Sequence, residues 1–354
     1  MEEYEEKILL LEKENLLLKE QIKIFNGTLH GLCEAMNGIL IQLEQNIDKT
    51  NVLMLAHERL NLIVNNMPYE LNDPRKRGKD DFYPEFRSDE ETLRMITEEK
   101  KSLARFGDGE FAIAFHIRRH KFQRLDERLA ERIWQVMNSE HPDLLIAIAD
   151  NYGCLDKYCE QAAIAIRDYM TDETRKQHRQ IIPTNRIYSN TYITRPYVIY
   201  RDAFTENPAR RFEALKKIWA GKKIMIVEGA QTRLGVGNDL FRKCSEIKRI
   251  IAPATSSFDR YDDILKECLR SANQVELFIL AIGPSSGILA YDLTVEGIQA
   301  VDVGHIDIEY EWFLAGKGTR VPVPGKYNNE VVGGDVVEPV NDPEYETSII
   351  ASFV

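Results

Sequence analysis

Eleven positions near the start of the chain fall in strict 3,4 alternation: Ile8, Leu11, Asn15, Leu18, Ile22, Phe25, Leu29, Leu32, Met36, Ile39 and Leu43. A seam of this kind, sustained for about five heptads, makes helices supercoil around a partner. With Ile8 at position a, Glu14 falls at g and Lys19 at the next e, placed for an interchain ion pair. Asn15 occupies an a position, where a polar residue fixes register and favours two strands at some cost in stability. A long helix packed on its own domain would need a broader apolar face than this stripe offers. The spacing therefore predicts a coiled-coil arm, a homodimer or a higher oligomer, over residues 1–65, weaker near Asn46 and Thr50 and returning with Leu53, Leu60 and Val64.

Residues 66–87 read as a linker, because Pro68, Pro74, Gly78 and Pro84 interrupt any regular element. Ser88 followed by Glu91 is a capping box that opens a helix to about Lys101. Beyond it, short apolar runs alternate with helical stretches. Leu103–Phe106, Leu144–Ala149, Lys223–Val227, Ile247–Ala252, Leu277–Ile282 and Ala300–Val303 have the continuous hydrophobicity of strands buried on both faces. Helices are expected around 125–137, 155–170, 207–220, 238–245, 258–271 and 286–296. This alternation implies an α/β fold with a doubly wound, mostly parallel sheet. The catalytic-sized domain spans 88–325, and residues 326–354 read as an irregular C-terminal extension.

The formal net charge of −11 argues against nucleic acid as a partner, since duplex binding rests on clustered Lys and Arg. The basic run Arg75-Lys76-Arg77-Gly78-Lys79 reads as solvated linker. Five cysteines without metal-ligand spacing read as free thiols in a reducing compartment. The acidic start, Met1-Glu2-Glu3-Tyr4-Glu5-Glu6, lacks signal-peptide character, and no apolar run approaches the ~20 residues of a transmembrane helix. A cytoplasmic location is expected.

In open α/β sheets, ligands bind beyond the carboxyl ends of the strands, where strand order reverses. Four strand-end loops carry unusual residues. In Arg105-Phe106-Gly107-Asp108-Gly109-Glu110, two carboxylates flank a glycine. Hard cations such as Mg²⁺ and Mn²⁺ are held by one or two carboxylates plus substrate phosphates; a tight turn with solvated acids is the plainer reading. The second loop, Glu228 to Phe241, contains Arg233, Gly235, Gly237 and Asn238. Running from a strand into a helix, it would offer N–H groups and a helix dipole to an anion, with Arg233 as a bidentate phosphate contact. It lacks the dinucleotide and Walker A signatures, and a simple strand–helix turn explains it equally well.

The third loop, Gly283-Pro284-Ser285-Ser286-Gly287, suits a phosphate or nucleotide oxygen, and equally an N-capped helix start. The fourth, Asp302 to Trp312, sets His305 beside Asp307 and Glu309. On an extended segment the three share a face; on a helix His305 and Glu309 do. A histidine beside carboxylates tunes a general base or completes a metal shell, and a satisfied structural histidine is the alternative.

Taken together, Arg105-Phe-Gly-Asp-Gly-Glu110, the Glu228–Asp239 run, the Gly283-Pro-Ser turn leading to Ala290-Tyr-Asp292, and Gly304-His-Ile-Asp-Ile-Glu-Tyr-Glu-Trp312 resemble the GT-D-type glycosyltransferase family. Tyr188-Ser189-Asn190 with Tyr192-Ile-Thr-Arg-Pro-Tyr197 resembles a further segment of it. The likeness spans roughly residues 85 to 330 and excludes the heptad arm. It implies a Rossmann-like domain that moves a sugar, typically glucose from UDP-glucose, to a glycan or glycoprotein acceptor of the bacterial surface. The family's Asp-x-Glu motif falls on Asp108 and Glu110, implying Mn²⁺ or Mg²⁺ and the donor diphosphate there. With that resemblance, Arg105 and Arg233 are expected as phosphate clamps, Gly107, Gly235, Gly237, Asn238, Gly283, Ser285 and Ser286 as donor contacts, and Asn190 and Arg195 as sugar or acceptor contacts. His305, Asp307 and Glu309 are the candidate bases, in that order. Competing readings are a nucleotide-sugar hydrolase or other nucleotide-dependent transferase, and a non-catalytic coiled-coil scaffold.

Overall fold

The computed structural model describes residues 2–71, 82–117, 122–339 and 341–354, in two units divided after Val64. Pro74 and the basic run from Arg75 to Lys79 lie outside the described residues. The first unit belongs to one unbroken helix, Glu2–Leu71, which continues past the boundary expected at residue 65. Its 70 residues would extend for about 105 Å. Its a and d apolar residues between Ile8 and Leu43 stand 51–66% exposed in the single chain.

The second unit is built on a nine-stranded sheet: β1 (Glu85–Phe86), β2 (Ser102–Phe106), β3 (Leu144–Ile148), β4 (Ile187–Asn190), β5 (Lys223–Gly229), β6 (Glu246–Ala252), β7 (Leu277–Ala281), β8 (Ala300–Asp302) and β9 (Ile349–Ser352). Their order is β1-β4-β3-β2-β8-β7-β5-β6-β9, and every pairing between neighbours is parallel. The central strands β3 and β7 are buried at every residue, which is why they read as unbroken apolar runs. Each aliphatic side chain buried there contributes about 1.5–3 kcal/mol.

Helices cover the sheet where the periodicity placed them, including Glu127–Met137, capped by Asp126 Oδ1 accepting Leu129 N–H at 2.9 Å. Ser88 Oγ accepts Glu91 N–H at 3.0 Å and starts the helix Asp89–Thr97. Two expectations fail. No helix forms over 238–245; the segment is a series of turns. Gly235 and Gly237 adopt positive φ, and Asn238 Oδ1 accepts Leu240 N–H at 3.0 Å, a local bond that competes with helix formation. The end of the chain is also not irregular throughout: Pro343–Ser348 is a helix and β9 adds an edge strand beside β6.

Candidate functional site

From β2 the chain steps outward to β3 and β4 on one side, while β8 closes the other, so strand order reverses between β2 and β8. The carboxyl ends of these two strands open onto a cleft of about 770 Å³, the position that such a reversal creates.

Arg105, near the end of β2, turns its guanidinium onto β8. Nε donates to Asp302 O and Nη2 to Asp302 Oδ1, both at 3.0 Å. The cation lies over Gly304, at φ +48, where a Cβ would stand 1.9 Å from Nη2. A side chain there would have to push the Arg105 guanidinium aside, and glycine adopts that positive φ without steric cost. Burial raises the Asp302 carboxyl above its ordinary value, and Arg105 opposes the rise.

The helix Asp108–Ala114 begins at the cleft, with Asp108 as its first residue. Glu110 folds back so that Oε2 accepts Gly107 N–H at 2.7 Å. Burial raises the Glu110 carboxyl as well; backbone hydrogen bonds oppose this, and the charges of Asp108 and Asp302 add to it. Three carboxyl groups thus crowd one corner.

A second charged cluster meets the cleft at the start of the helix Ile306–Leu314. His305 Nδ1 lies 2.9 Å from Glu330 Oε1 and 3.0 Å from Arg195 Nη2. Arg195 forks onto the same carboxylate, with Nη1 donating to Oε2 at 3.0 Å and Nη2 to Oε1. Burial alone would raise Glu330, but Arg195 and His305 outweigh it and hold the carboxyl well below its usual range. The His305 side chain is 33% exposed and lines the cleft.

Three cleft atoms lack any partner among the described residues: Thr191 Oγ1, Gln123 Oε1 and Asn329 Oδ1. Each of the three is closed off from solvent, and a buried polar atom left so costs about 1–3 kcal/mol.

Of the residues singled out from the sequence, the cleft gathers Arg105, Gly107, Asp108, Glu110, Arg195, Gly283, His305 and Asp307. The others stand elsewhere. Arg233 Nη1 donates to Gly325 O at 2.5 Å and Glu338 O at 2.9 Å, strapping down the segment after the last helix of the sheet. Asp307 Oδ1 accepts Gly235 N–H at 2.9 Å and Asn238 Nδ2 at 2.8 Å, while Oδ2 takes Lys326 Nζ at 2.6 Å. Asp307 therefore ties the loop containing Gly235, Gly237 and Asn238 to its helix. Asn190 caps the turn that follows β4, accepting Tyr192 N–H at 3.0 Å.

Ser285 and Ser286 are buried: Ser285 Oγ meets Ser257 Oγ at 2.9 Å and Ser286 Oγ accepts Ile282 N–H at 2.8 Å. Gly283 to Gly287 also has the Gly-x-Ser-x-Gly spacing of a nucleophile elbow. With Ser285 turned inward against another serine, that spacing here builds a helix start. Glu309 is fully buried, and its Oε2 accepts Tyr197 N–H at 3.2 Å and Val198 N–H at 3.1 Å. Its Oε1 has no partner among the described residues, and burial pushes the carboxyl up to about 7 against the pull of Arg195.

The cleft also contains Arg320, Tyr327, Asn329 and Glu330 from the irregular segment after the last helix, and Asp302 from β8. Asp302 is signalled by its place at a strand end, two residues before Gly304. Nothing periodic marks the other four.

The model of the glycosyltransferase GT-D fold matches residues 103–331, which include both charged clusters. The chain belongs to the GT-D-fold glycosyltransferase family. It is 35% identical over 267 residues to glycosyltransferase GlyD of Streptococcus pneumoniae, covering 75% of this chain and 32% of that protein. To a probable glycosyl transferase, Gly, of Streptococcus gordonii it is 32% identical over 267 residues, covering 75% of this chain and 38% of that one. This GT-D chain thus spans about a third of the length of those relatives. A solved domain of unknown function 1792, described as having a distinct glycosyltransferase fold, superposes with a TM-score of 0.70 at 33% identity, covering 76% of this chain and 95% of that one. A glycosyltransferase from Streptococcus sanguinis superposes with a TM-score of 0.72 at 31% identity, covering 77% of this chain and 100% of its own. The long N-terminal helix of this GT-D chain lies outside the matched residues.

Proposed function

We propose that the chain transfers a hexose, glucose first among candidates, from a UDP-sugar to a glycan or glycoprotein acceptor in a metal-dependent reaction. The observation that carries this reading is the Asp108–Glu110 pair, set at the strand-order reversal in the same cleft as His305. Mn²⁺ or Mg²⁺ would be held by Asp108 and Glu110. Their hard oxygen donors suit such an ion, and the raised carboxyls of Glu110 and Asp302 mark a corner that a positive charge would relieve. Among the described residues no three His, Cys, Asp or Glu side chains converge as a metal cage. When bound, the ion neutralises charge on the departing nucleoside diphosphate.

The chain's own groups do the rest. Arg105, tied to Asp302, and Arg195 and Arg320 bring cationic N–H donors into a cleft that Asp108, Glu110, Asp302, Asp307 and Glu330 also line. The helix Ser285–Val295 starts directly behind Gly283 and Pro284, adding its N-terminal dipole. His305 Nε2 takes the proton of the acceptor hydroxyl as that oxygen bonds to the anomeric carbon and the diphosphate departs with the bonding electron pair. The bonded and buried Asp307 and Glu309 are poorer candidates for that step.

The long helix completes the proposal. Its exposed heptad seam is the surface on which a second copy of the chain pairs, holding two active sites on one stalk. No helix among the described residues is long and apolar enough to cross a membrane, and the free cysteines fit a reducing compartment. We therefore place the reaction in the cytoplasm.

A thermal-shift screen of UDP-, GDP- and dTDP-sugars with Mn²⁺ tests the donor, followed by release of UDP and free sugar with and without acceptor glycan. Stabilisation by UDP-glucose, with UDP release that depends on acceptor, is the expected result. Equal release without acceptor would mean a hydrolase. No stabilisation by any nucleotide sugar would favour a scaffold and overturn the proposal.

A further inference from the structure

The cleft histidine is not held by its own helix. Its Nδ1 meets Glu330, a residue of the irregular segment that follows the helix Ile306–Leu314. That segment is anchored along its length. Lys326 Nζ reaches Asp307 and Glu311, Tyr327 N–H donates to Gln231 O at 2.8 Å, and Arg233 grips Gly325 and Glu338. Asn328 Oδ1 accepts Glu330 N–H at 2.9 Å, and Asn328 N–H donates to Gly334 O at 2.7 Å. A Cβ at Gly334 would stand 2.2 Å from Asn328 O, so this tight loop needs glycine there. The backbone thus delivers the Glu330 carboxylate to one place.

Two groups meet Nδ1, and only one can accept a proton from it. Arg195 is a donor only, whereas the Glu330 carboxylate is an acceptor only. Arg195 already directs one N–H of Nη1 and one of Nη2 onto the same carboxylate. The favourable arrangement is Nδ1–H donating to Glu330 Oε1, which leaves the Nε2 lone pair bare. Nε2 makes no hydrogen bond among the described residues.

We infer that Glu330 is the positioning residue of the cleft: its carboxylate fixes His305 as the Nδ1–H tautomer, so that Nε2 is free to take a proton. The inference rests on the proposed role of His305, and its consequence is that the segment after the last sheet-covering helix belongs to the active site. Chemically, a fixed tautomer spares the transfer step from depending on the fraction of histidine protonated at the wrong nitrogen.

The test is ¹⁵N NMR of histidine-labelled full-length chain, with His305→Gln to assign the resonance. The unaltered chain should show His305 with Nδ1 protonated and Nε2 bare. Glu330→Ala leaves only Arg195 beside Nδ1 and should switch the tautomer to Nε2–H, while Glu330→Asp should keep Nδ1–H. Fluorescence of the buried Trp312 checks folding of each variant. With UDP-glucose, Mn²⁺ and an acceptor glycan, Glu330→Ala should lower kcat about a hundredfold with little change in donor KM, and Glu330→Asp should recover part of it. An Nε2–H tautomer in the unaltered chain would overturn the inference, and that arm needs no variant to fold. So would an unchanged tautomer in folded Glu330→Ala. The predicted tautomers without any sugar transfer would instead overturn the functional proposal and leave the positioning role standing.

Discussion

Replacing Glu309 by Gln separates two accounts of a fully buried carboxyl. Glu309 sits near Arg195, so an ion-pair reading makes it a stabilising anion; its burial and orphaned Oε1 make it an acid that keeps its proton. Raised from 4.5 to about 7 in the folded chain, it holds a proton that the unfolded chain releases. Stability from this group is therefore complete below about pH 4.5, falls as pH rises toward about 7, and is level beyond. At about 1.4 kcal/mol per tenfold change, the fall is on the order of 3 kcal/mol. The amide introduced by Glu309→Gln would keep an oxygen for Tyr197 N–H and Val198 N–H and place its NH₂ where the carboxyl OH was. The variant should match the unaltered chain near pH 4.5 and exceed it by about 3 kcal/mol at pH 8. Urea unfolding at the two pH values measures this through tryptophan fluorescence, since Trp134, Trp219 and Trp312 all lie in the unit after Val64. A variant less stable at pH 8, or an equal difference at both pH values, would refute the reasoning.

Asp108→Asn and Glu110→Gln should abolish Mn²⁺-dependent turnover with the melting temperature nearly unchanged, because the Glu110→Gln amide oxygen can still accept Gly107 N–H. Glu110→Ala should lose the helix cap as well, costing about 1 kcal/mol in chemical denaturation. Near-full activity of Asp108→Asn in Mn²⁺ would remove the metal assignment. Gly304→Ala drives a methyl into Arg105 and strains a positive-φ backbone, so a loss of about 1–3 kcal/mol and of turnover is expected from thermal denaturation and donor assays. Deleting residues 1–65 should give a monomer by light scattering that still acts on small acceptors; a dimer after deletion would place the pairing surface elsewhere.

Much of the fold was legible because the signal was local. Strands β3, β5 and β7 are apolar runs buried on both faces, and Ser88 with Glu91 announced a helix start that the geometry shows. The short edge strands β1 and β9 carry no such pattern; they exist because neighbouring strands offer unpaired backbone groups. Its place after a strand predicts a helix from Asn238, yet Asn238 and the preceding Gly235 and Gly237 set up turns instead.

The sequence by itself determined the heptad stripe on the long helix, the alternation that builds a parallel sheet, and the strand-end loops where a ligand should bind. These follow from spacing along a few neighbouring residues, and periodicity expresses them directly. Only the tertiary structure decided which charged groups meet. Arg195 finds Glu330 across 135 residues, Arg233 finds Gly325 across 92, and Asp307 holds Gly235 across 72. No local rule assigns such partners, because a buried charge goes to whatever counter-charge or dipole the packed chain brings within reach.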